Sequence, residues 1–162
     1  MVYCDYKIKK EVIIMNYEIV KLDEKIVAGY TARTGNTDPD CQKIIGGLWN
    51  DFMGKGLFTS LEKRVNEYCI GLYSDYDFKA MTYDVTVGAQ VSSCDSKELS
   101  VKRIPAGKYA KFSIKGDVVK AVAAAWEEIW KMPLERTFTG DFEEYISNID
   151  GIAEIDIYVA VK

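Results

Sequence analysis

The order strand, helix, strand, strand occurs twice along this chain, and this duplication restricts the possible folds more than any other feature of the sequence. In the first half, alternating and helical residue patterns predict these four elements over residues 26–34, 39–54, 68–74 and 82–91. The helix starts at Asp38-Pro39, an N-cap followed by a first-turn proline, and ends at Gly54. In the second half, the same order is predicted over residues 99–114, 117–131, 142–147 and 153–161.

The two halves can be aligned with each other, although few residues are identical. The alignment matches Trp49 with Trp126, Tyr73 with Tyr145 and Gly71 with Glu143. Two βαββ units that join edge to edge form a curved antiparallel sheet, with both helices on one face and a groove at the pseudo-two-fold axis. The sequence therefore predicts an α+β fold made of duplicated βαββ units.

The length of the chain, 162 residues, suits one domain with a complete hydrophobic core. We assign a single domain to residues 16–162, with repeat one at 16–93 and repeat two at 99–162. Residues 1–15 precede the first recognisable element, and we interpret them as an N-terminal extension outside the domain. The chain starts without the apolar core of a signal peptide, and no stretch is apolar enough to span a bilayer. These features predict a cytoplasmic protein without membrane contact.

The charge balance argues against nucleic acid as a direct partner. The chain has 21 basic and 25 acidic residues, and no cluster of Lys and Arg is interleaved with aromatic side chains. It contains no histidine, and the two closest of its four cysteines, Cys69 and Cys94, are 25 residues apart. Because this spacing suits neither a zinc site nor a redox dithiol, we expect no metal and no cofactor.

Several segments resemble one known family in both order and spacing. They are Ile70–Asp75, Ile104–Phe112, the helix with Trp126 and Trp130, Asp141–Tyr145, and Ala153–Lys162. Together they are similar to the GyrI-like effector-binding domains that are attached to AraC-type and MerR-type transcription regulators, and the resemblance covers residues 16–162. The chain departs from the family at Ala160, where the family has a proline, and it contains no helix-turn-helix segment.

This resemblance implies a stand-alone effector-binding domain with a SOUL-like double βαββ fold. It also implies a pocket for drug-like, often cationic aromatic ligands, in which Glu143 meets the ligand and Tyr145 follows on the same strand. Because the chain has no DNA-binding segment of its own in this interpretation, a separately encoded transcription regulator is a candidate partner.

The strand predicted over residues 142–147 carries two neighbouring glutamates that must point in opposite directions. Glu143 and Tyr145 share one face, whereas Phe142, Glu144 and Ile146 share the other. If Phe142 and Ile146 pack in the core, Glu144 enters the core with them. The family resemblance instead directs Glu143 to the groove and leaves Glu144 near an edge or solvent. Alternation alone does not decide between these two registers.

A carboxylate among aromatic side chains selects positive ligands, because burial disfavours its charged form and an incoming cation restores it. With the resemblance, the expected ligand-binding residues are Glu143, Tyr145, Tyr73, Tyr83, Gly71, Trp49, Phe52 and Trp126. The rings would bury ligand surface and add cation–π contacts. For Trp49, Phe52 and Trp126, core packing is the commoner reason for their helical spacing. Gly71 either lets a flat ligand approach the backbone or marks a bulge.

Three functions are compatible with these residues. The leading hypothesis is a sensor or sequestering module that binds a lipophilic, cationic, drug-like small molecule. The family resemblance also allows a hydrolase of cyclopropane-bearing alkylating compounds that uses Glu143 to position or deprotonate water. A third hypothesis is a protein inhibitor of the gyrase-inhibitor type. The sequence does not separate the sensor from the enzyme, because both depend on Glu143.

Overall fold

The computed structural model describes residues 15–162, so the N-terminal extension predicted for residues 1–15 lies, except for Met15, outside the described residues. The elements of this part are β1 (Glu18–Leu22), β2 (Lys25–Thr34), α1 (Cys41–Gly54), α2 (Leu57–Ser60), β3 (Arg64–Asp77), β4 (Thr82–Val91), β5 (Ser100–Ile104), β6 (Gly107–Asp117), α3 (Lys120–Lys131), β7 (Asp141–Ile149) and β8 (Ile152–Val161). No helix within residues 15–162 combines the length and the apolar character needed to cross a bilayer.

The observed order confirms the duplicated βαββ arrangement, with a short additional strand at the start of each repeat. The strand predicted over residues 99–114 is divided into β5 and β6 at Pro105, which has no backbone N–H to contribute to a ladder. Helix α3 starts three residues later than predicted, because Asp117 ends β6. The Asp117 carboxylate accepts the backbone N–H groups of Val119 and Lys120 at 3.1 and 2.9 Å and so defines the start of the helix.

The strands form one antiparallel sheet in the order β1-β6-β8-β7-β3-β4-β2-β5. Strands β3 and β7 join the two repeats at the centre, with opposing pairs Cys69 and Tyr145, Gly71 and Glu143, and Tyr73 and Asp141. This register is symmetric about the pair of Gly71 and Glu143, which correspond to each other in the internal alignment. Tyr73 corresponds to Tyr145, so the pairs that these two tyrosines form lie at equivalent places on either side. The pseudo-two-fold axis therefore passes between Gly71 and Glu143.

The first strand of each repeat pairs with the other repeat. Strand β1 pairs with β6 of the second repeat, and β5 pairs with β2 of the first. The two-residue links between β1 and β2 and between β5 and β6 therefore connect strands near opposite edges of the sheet. Such short links require the edges to approach each other, so the sheet is strongly curled.

Apolar side chains cover both faces of the curled sheet. On one face, α1 packs on β2 and β4 around Phe52, and α3 packs on β6 and β8 around Ile129. On the other face, residues of both sheet edges, including Val20 and Ile104, join one cluster around Phe142. Both long helices thus lie on the same face, as predicted, and the space between them is the groove at the pseudo-two-fold axis.

Candidate ligand-binding site

The groove between α1 and α3 has a volume of about 1150 Å³ and is lined by both repeats. Its wall is mostly apolar and rich in aromatic side chains. The aromatic lining residues are Trp49, Phe58, Tyr73, Tyr76, Phe78, Tyr83, Trp126, Trp130, Phe138 and Tyr145, and Glu143 lies among them. Apolar clefts with a few converging polar groups are typical of small-molecule sites.

Glu143 is 2% exposed and accepts three hydrogen bonds from side chains. The Trp126 indole N–H donates to Oε1 at 2.7 Å, and the Tyr73 hydroxyl donates to the same atom at 3.1 Å. The Tyr145 hydroxyl donates to Oε2 at 2.7 Å. All three donors are neutral, and within residues 15–162 no Lys or Arg forms an ion pair with this carboxylate.

Burial raises the pKa of Glu143 and the pKa values of its two tyrosine donors alike. Loss of hydration raises the pKa of Glu143, and the hydrogen bonds from Trp126, Tyr145 and Tyr73 oppose this rise only in part. Burial and the nearby carboxylate also raise the pKa values of the Tyr73 and Tyr145 hydroxyls. These hydroxyls consequently remain protonated donors, and the groove floor carries one buried acidic group without a cationic neighbour.

The pseudo-two-fold axis explains how this cluster is assembled. Tyr73 and Tyr145 occupy equivalent positions on β3 and β7, and both reach the same carboxylate from opposite sides. The position equivalent to Glu143 is Gly71. A Cβ atom on Gly71 would lie 3.0 Å from Glu143 Oε2 and 3.5 Å from Trp49 Cζ2, so a side chain at this position would force the carboxylate to shift from its place on the axis.

The aromatic side chains form a continuous wall around Glu143. Trp49 packs edge-on against Tyr145, with ring centroids 4.8 Å apart, and Tyr73 packs edge-on against both Trp126 and Tyr83 at 5.6 Å. These edge-to-face contacts hold the rings in fixed orientations. The wall therefore combines a large apolar area with the Glu143 carboxylate at its base.

The structure brings six of the eight expected ligand-binding residues to the groove. They are Trp49, Tyr73, Tyr83, Trp126, Glu143 and Tyr145. Phe52 is instead fully buried in the core beneath α1, where its ring packs edge-on against Trp49 at 6.5 Å. Gly71 lies at the floor, but Glu143 and Trp49 occupy the space above it, so the open backbone surface expected for a flat ligand is filled by side chains.

Glu144 differs from the expectation that it lies near an edge or solvent. It is only 5% exposed, on the face opposite Glu143, and Lys25 Nζ lies 3.9 Å from its Oε2. The reason is that this face of the sheet is also covered, by the cluster around Phe142. Both glutamates are therefore buried, and only Glu143 lines the groove.

One end of the groove was not anticipated from the sequence. Strand β3 continues beyond the predicted end at Ser74, and this extension brings Tyr76 to the wall. Arg136 and Phe138, from the segment between α3 and β7, line the same end. A clustering of aromatic residues around the β3–β4 turn, with Phe78 at its tip, is the sequence signal that could have identified this end.

A metal site is not supported by the side chains of this part of the molecule. Within residues 15–162, no group of three or more Cys, Asp or Glu residues is arranged to hold a metal ion. The cysteines described, Cys41, Cys69 and Cys94, are free thiols.

Known proteins share both the sequence and the fold of this chain. The Bacillus subtilis (strain 168) protein YobU, named as a candidate transcriptional regulator, is 32% identical over 154 residues, which covers 89% of this chain and 96% of YobU. The structure of SAV2435 bound to tetraphenylphosphonium matches with a TM-score of 0.76 at 20% identity, covering 91% of this chain and 94% of that one. The integron cassette protein VCH_CASS2, from the mobile metagenome of Vibrio cholerae, matches with a TM-score of 0.70 at 24% identity, covering 90% and 95%.

The two solved structures show a common fold, whereas the family is shown by the sequence. Residues 18–161 match the family described as "Cass2: Integron-associated effector binding protein", which is nearly the whole of the part that the structure describes. An effector-binding family agrees with the resemblance found in the sequence. The chain therefore belongs to the Cass2 family of integron-associated effector-binding proteins.

Proposed function

We propose that this protein binds a lipophilic, cationic, drug-like molecule in the aromatic groove, with Glu143 as the counter-charge, and acts as a sensor or sequestering module. The observation that carries the proposal is a carboxylate that is 2% exposed, surrounded by neutral donors and aromatic rings, and without an ion-pair partner among residues 15–162. A buried charge is expensive unless it is paired, so the groove favours an occupant that supplies the opposite charge.

The walls and the carboxylate have different tasks in this proposal. The rings of Trp49, Tyr73, Tyr145 and Trp126 would bury apolar ligand surface, and a desolvated cation over such a ring gains about 0.5–2 kcal/mol. These contacts depend little on the shape of the ligand. The carboxylate favours positively charged ligands, so the site would accept a range of molecules that are both cationic and lipophilic.

Two relatives support this ligand class and a role in regulation. Tetraphenylphosphonium, found bound to the similarly folded SAV2435, is a lipophilic aromatic cation. YobU is named as a candidate transcriptional regulator. We therefore propose that the chain is a relative of the GyrI-like effector-binding domains and acts in the cytoplasm together with a transcription regulator.

A direct test compares a cation with a neutral molecule of similar shape. Methyltriphenylphosphonium and triphenylphosphine oxide, which share three phenyl rings and differ by a methyl group against an oxygen, are titrated into the protein, and binding is followed by calorimetry and by tryptophan fluorescence. We expect a dissociation constant in the low micromolar range for the cation, and binding of the neutral molecule that is weaker by about 1–3 kcal/mol, or roughly ten- to a hundredfold. Equal affinities would show that the carboxylate does not select the ligand.

A further inference from the structure

The groove has a second polar group at the end formed by the β3–β4 hairpin and the segment before β7. Arg136 lines this end, and its Nη2 donates to Asp141 Oδ2 at 2.6 Å. Asp141 is fully buried and also accepts the Tyr76 hydroxyl at 2.6 Å and the backbone N–H of Ala160 at 2.9 Å. Asp141 is therefore fully engaged, and it balances the charge of Arg136.

The Arg136 guanidinium retains donors that the protein does not use. A guanidinium carries five N–H groups. Among residues 15–162, Nη2 has Asp141 as its acceptor, and Nε is buried without a hydrogen-bond partner and out of reach of a ligand. The Nη1 group has no acceptor among these residues and is not buried, so it is the donor that can contact a ligand. The Arg136 side chain is 14% exposed. An arginine that lines a cavity with unused N–H groups is suited to bind a planar oxygen acceptor.

Aromatic side chains fix the position of Arg136 at the wall. Its guanidinium carbon lies 4.3 Å from the centroid of the Phe138 ring, and Tyr76 and Phe78 pack edge-on against the same ring at 5.6 and 5.0 Å. Phe138 has φ of 54°, a conformation that bulky residues rarely adopt. The surrounding contacts thus fix the position of Phe138, and the Arg136 guanidinium packs against its ring.

We propose that Arg136 binds a hydrogen-bond acceptor, a carboxylate or carbonyl oxygen, on the same ligand whose positive centre pairs with Glu143. This inference rests on the proposed function and narrows its ligand class to lipophilic cations that also carry an acceptor group. Asp141 and Glu143 are two residues apart on β7, which separates their backbones by roughly 7 Å. The positive centre and the acceptor of the ligand are therefore separated by a distance of this order or more. Because Asp141 balances Arg136, the arginine does not repel the cationic part of the ligand.

Two phosphonium probes test this inference. Carboxybutyl-triphenylphosphonium carries a carboxylate at the end of its alkyl chain, and pentyl-triphenylphosphonium carries a methyl group there. Both are titrated into the natural protein and into the double variant Arg136→Gln with Asp141→Asn, which removes both charges of the pair together. The measured quantity is the ratio of the two dissociation constants, because a difference in apolar surface between the probes cancels when two proteins are compared.

We expect the double variant to bind the carboxylated probe, relative to the pentyl probe, about tenfold more weakly than the natural protein does. This change corresponds to one lost charge-assisted contact. The matched control is Arg33→Gln with Asp84→Asn, because Arg33 Nη1 and Asp84 Oδ1 form a similar pair at 2.9 Å away from the groove lining. The control should keep the natural ratio. An unchanged ratio in the Arg136 variant overturns the inference.

Three further outcomes are also informative. If the double variant does not fold, Arg136→Lys keeps the charge but removes the planar donor group, and we expect a smaller shift in the same direction, whereas an unchanged ratio again overturns the inference. If neither probe binds the natural protein, the proposed function fails together with the inference. If both bind and the ratio does not respond to Arg136, only the inference fails.

Discussion

At the scale of single residues, Glu143 is the central polar group of the groove. Its carboxylate has neutral donors on both oxygens, and burial raises its pKa. Its neighbour Glu144 is buried as well, but on the opposite face and close to Lys25. Of these two adjacent glutamates, only Glu144 has a cationic side chain close to it among residues 15–162. Substitutions of Glu143 and Glu144 can therefore be compared as a matched pair.

Glu143→Gln should weaken the binding of tetraphenylphosphonium by about ten- to a hundredfold and leave a neutral ligand little affected, because the change keeps the shape and removes the charge. One Tyr hydroxyl can turn to accept from the new amide. Calorimetric titration measures both affinities. If the protein instead hydrolyses a neutral cyclopropane compound, the same change should leave binding of that compound intact and lower turnover by about 10²–10⁴.

Glu144→Gln is the control for this substitution, because its side chain leaves the other face of β7. Its affinity for tetraphenylphosphonium should match that of the natural protein. A harmful Glu144→Gln combined with a silent Glu143→Gln would contradict the assignment of the site to the helix-bearing face.

Glu143→Gln should also change how stability depends on pH. Because the folded-state pKa of Glu143 is raised above its unfolded value, its protonated form favours folding, and this contribution is lost as pH rises through the raised pKa. Glutamine does not titrate. The variant should therefore have a larger free energy of unfolding at neutral pH, and the difference should disappear below about pH 4, where Glu is protonated in both states.

Urea denaturation of both proteins at several pH values measures this difference, and each 1 kcal/mol should also raise Tm by about 2–4 °C for a chain of this size. A variant that is less stable at neutral pH would mean that the three hydrogen bonds outweigh the desolvation of the carboxylate. The natural protein would then gain stability from ionised Glu143.

At the scale of secondary-structure elements, the close pairing of β3 with β7 creates the space that the carboxylate needs. Gly71 lies opposite Glu143, and a Cβ atom there would meet Glu143 Oε2 at 3.0 Å. The sequence indicated this correspondence, because Gly71 and Glu143 align between the repeats. It did not indicate that the glycine makes room for the glutamate rather than for a ligand, since that depends on the pairing of two distant strands.

Gly71→Ala should lower the affinity for tetraphenylphosphonium by about tenfold, or 1.4 kcal/mol, because the new methyl group displaces the Glu143 carboxylate while the fold persists. Titration together with a thermal melt separates binding from stability. Gly47→Ala is the matched control, because a Cβ at that helical position meets nothing within 4 Å and should stabilise α1 by up to about 1 kcal/mol. Unchanged affinity in Gly71→Ala would mean that the carboxylate tolerates a shift.

At the scale of the whole molecule, the exchanged strands make the two repeats depend on each other. Strand β1 completes the sheet of the second repeat and β5 that of the first, and the cluster around Phe142 contains residues of both repeats. The groove also takes its walls from both. Neither repeat contains a complete core or a complete site.

Separate polypeptides of residues 15–93 and 94–162 should therefore be unfolded on their own, because each lacks an edge strand and exposes half of a shared core. The intact protein should unfold in one cooperative transition. Circular dichroism and amide exchange of the two fragments, alone and mixed, measure this dependence. A cooperative melt of residues 15–93 alone would contradict it.

The sequence by itself determined the two long helices, most of the strands and their occurrence in two equivalent sets, because residue periodicity reflects local geometry. It did not indicate the short helix α2 or the division of the 99–114 strand into β5 and β6. It also determined that Glu143 and Glu144 point to opposite faces. The tertiary structure determined which neighbours each face of a strand or helix contacts. It buried Glu144 as well as Glu143, placed Phe52 in the core rather than in the groove, and brought Tyr76 to the groove.

The contacts that define the candidate site join residues far apart in the sequence, which explains why only the tertiary structure could decide them. Tyr73 reaches Glu143 across 70 residues, and Tyr76 reaches Asp141 across 65. A local pattern fixes the direction of a side chain relative to its own strand, but the neighbours it meets depend on strand order and register. In this fold, both contacts depend on the register of β3 against β7. That register depends in turn on packing over the whole sheet.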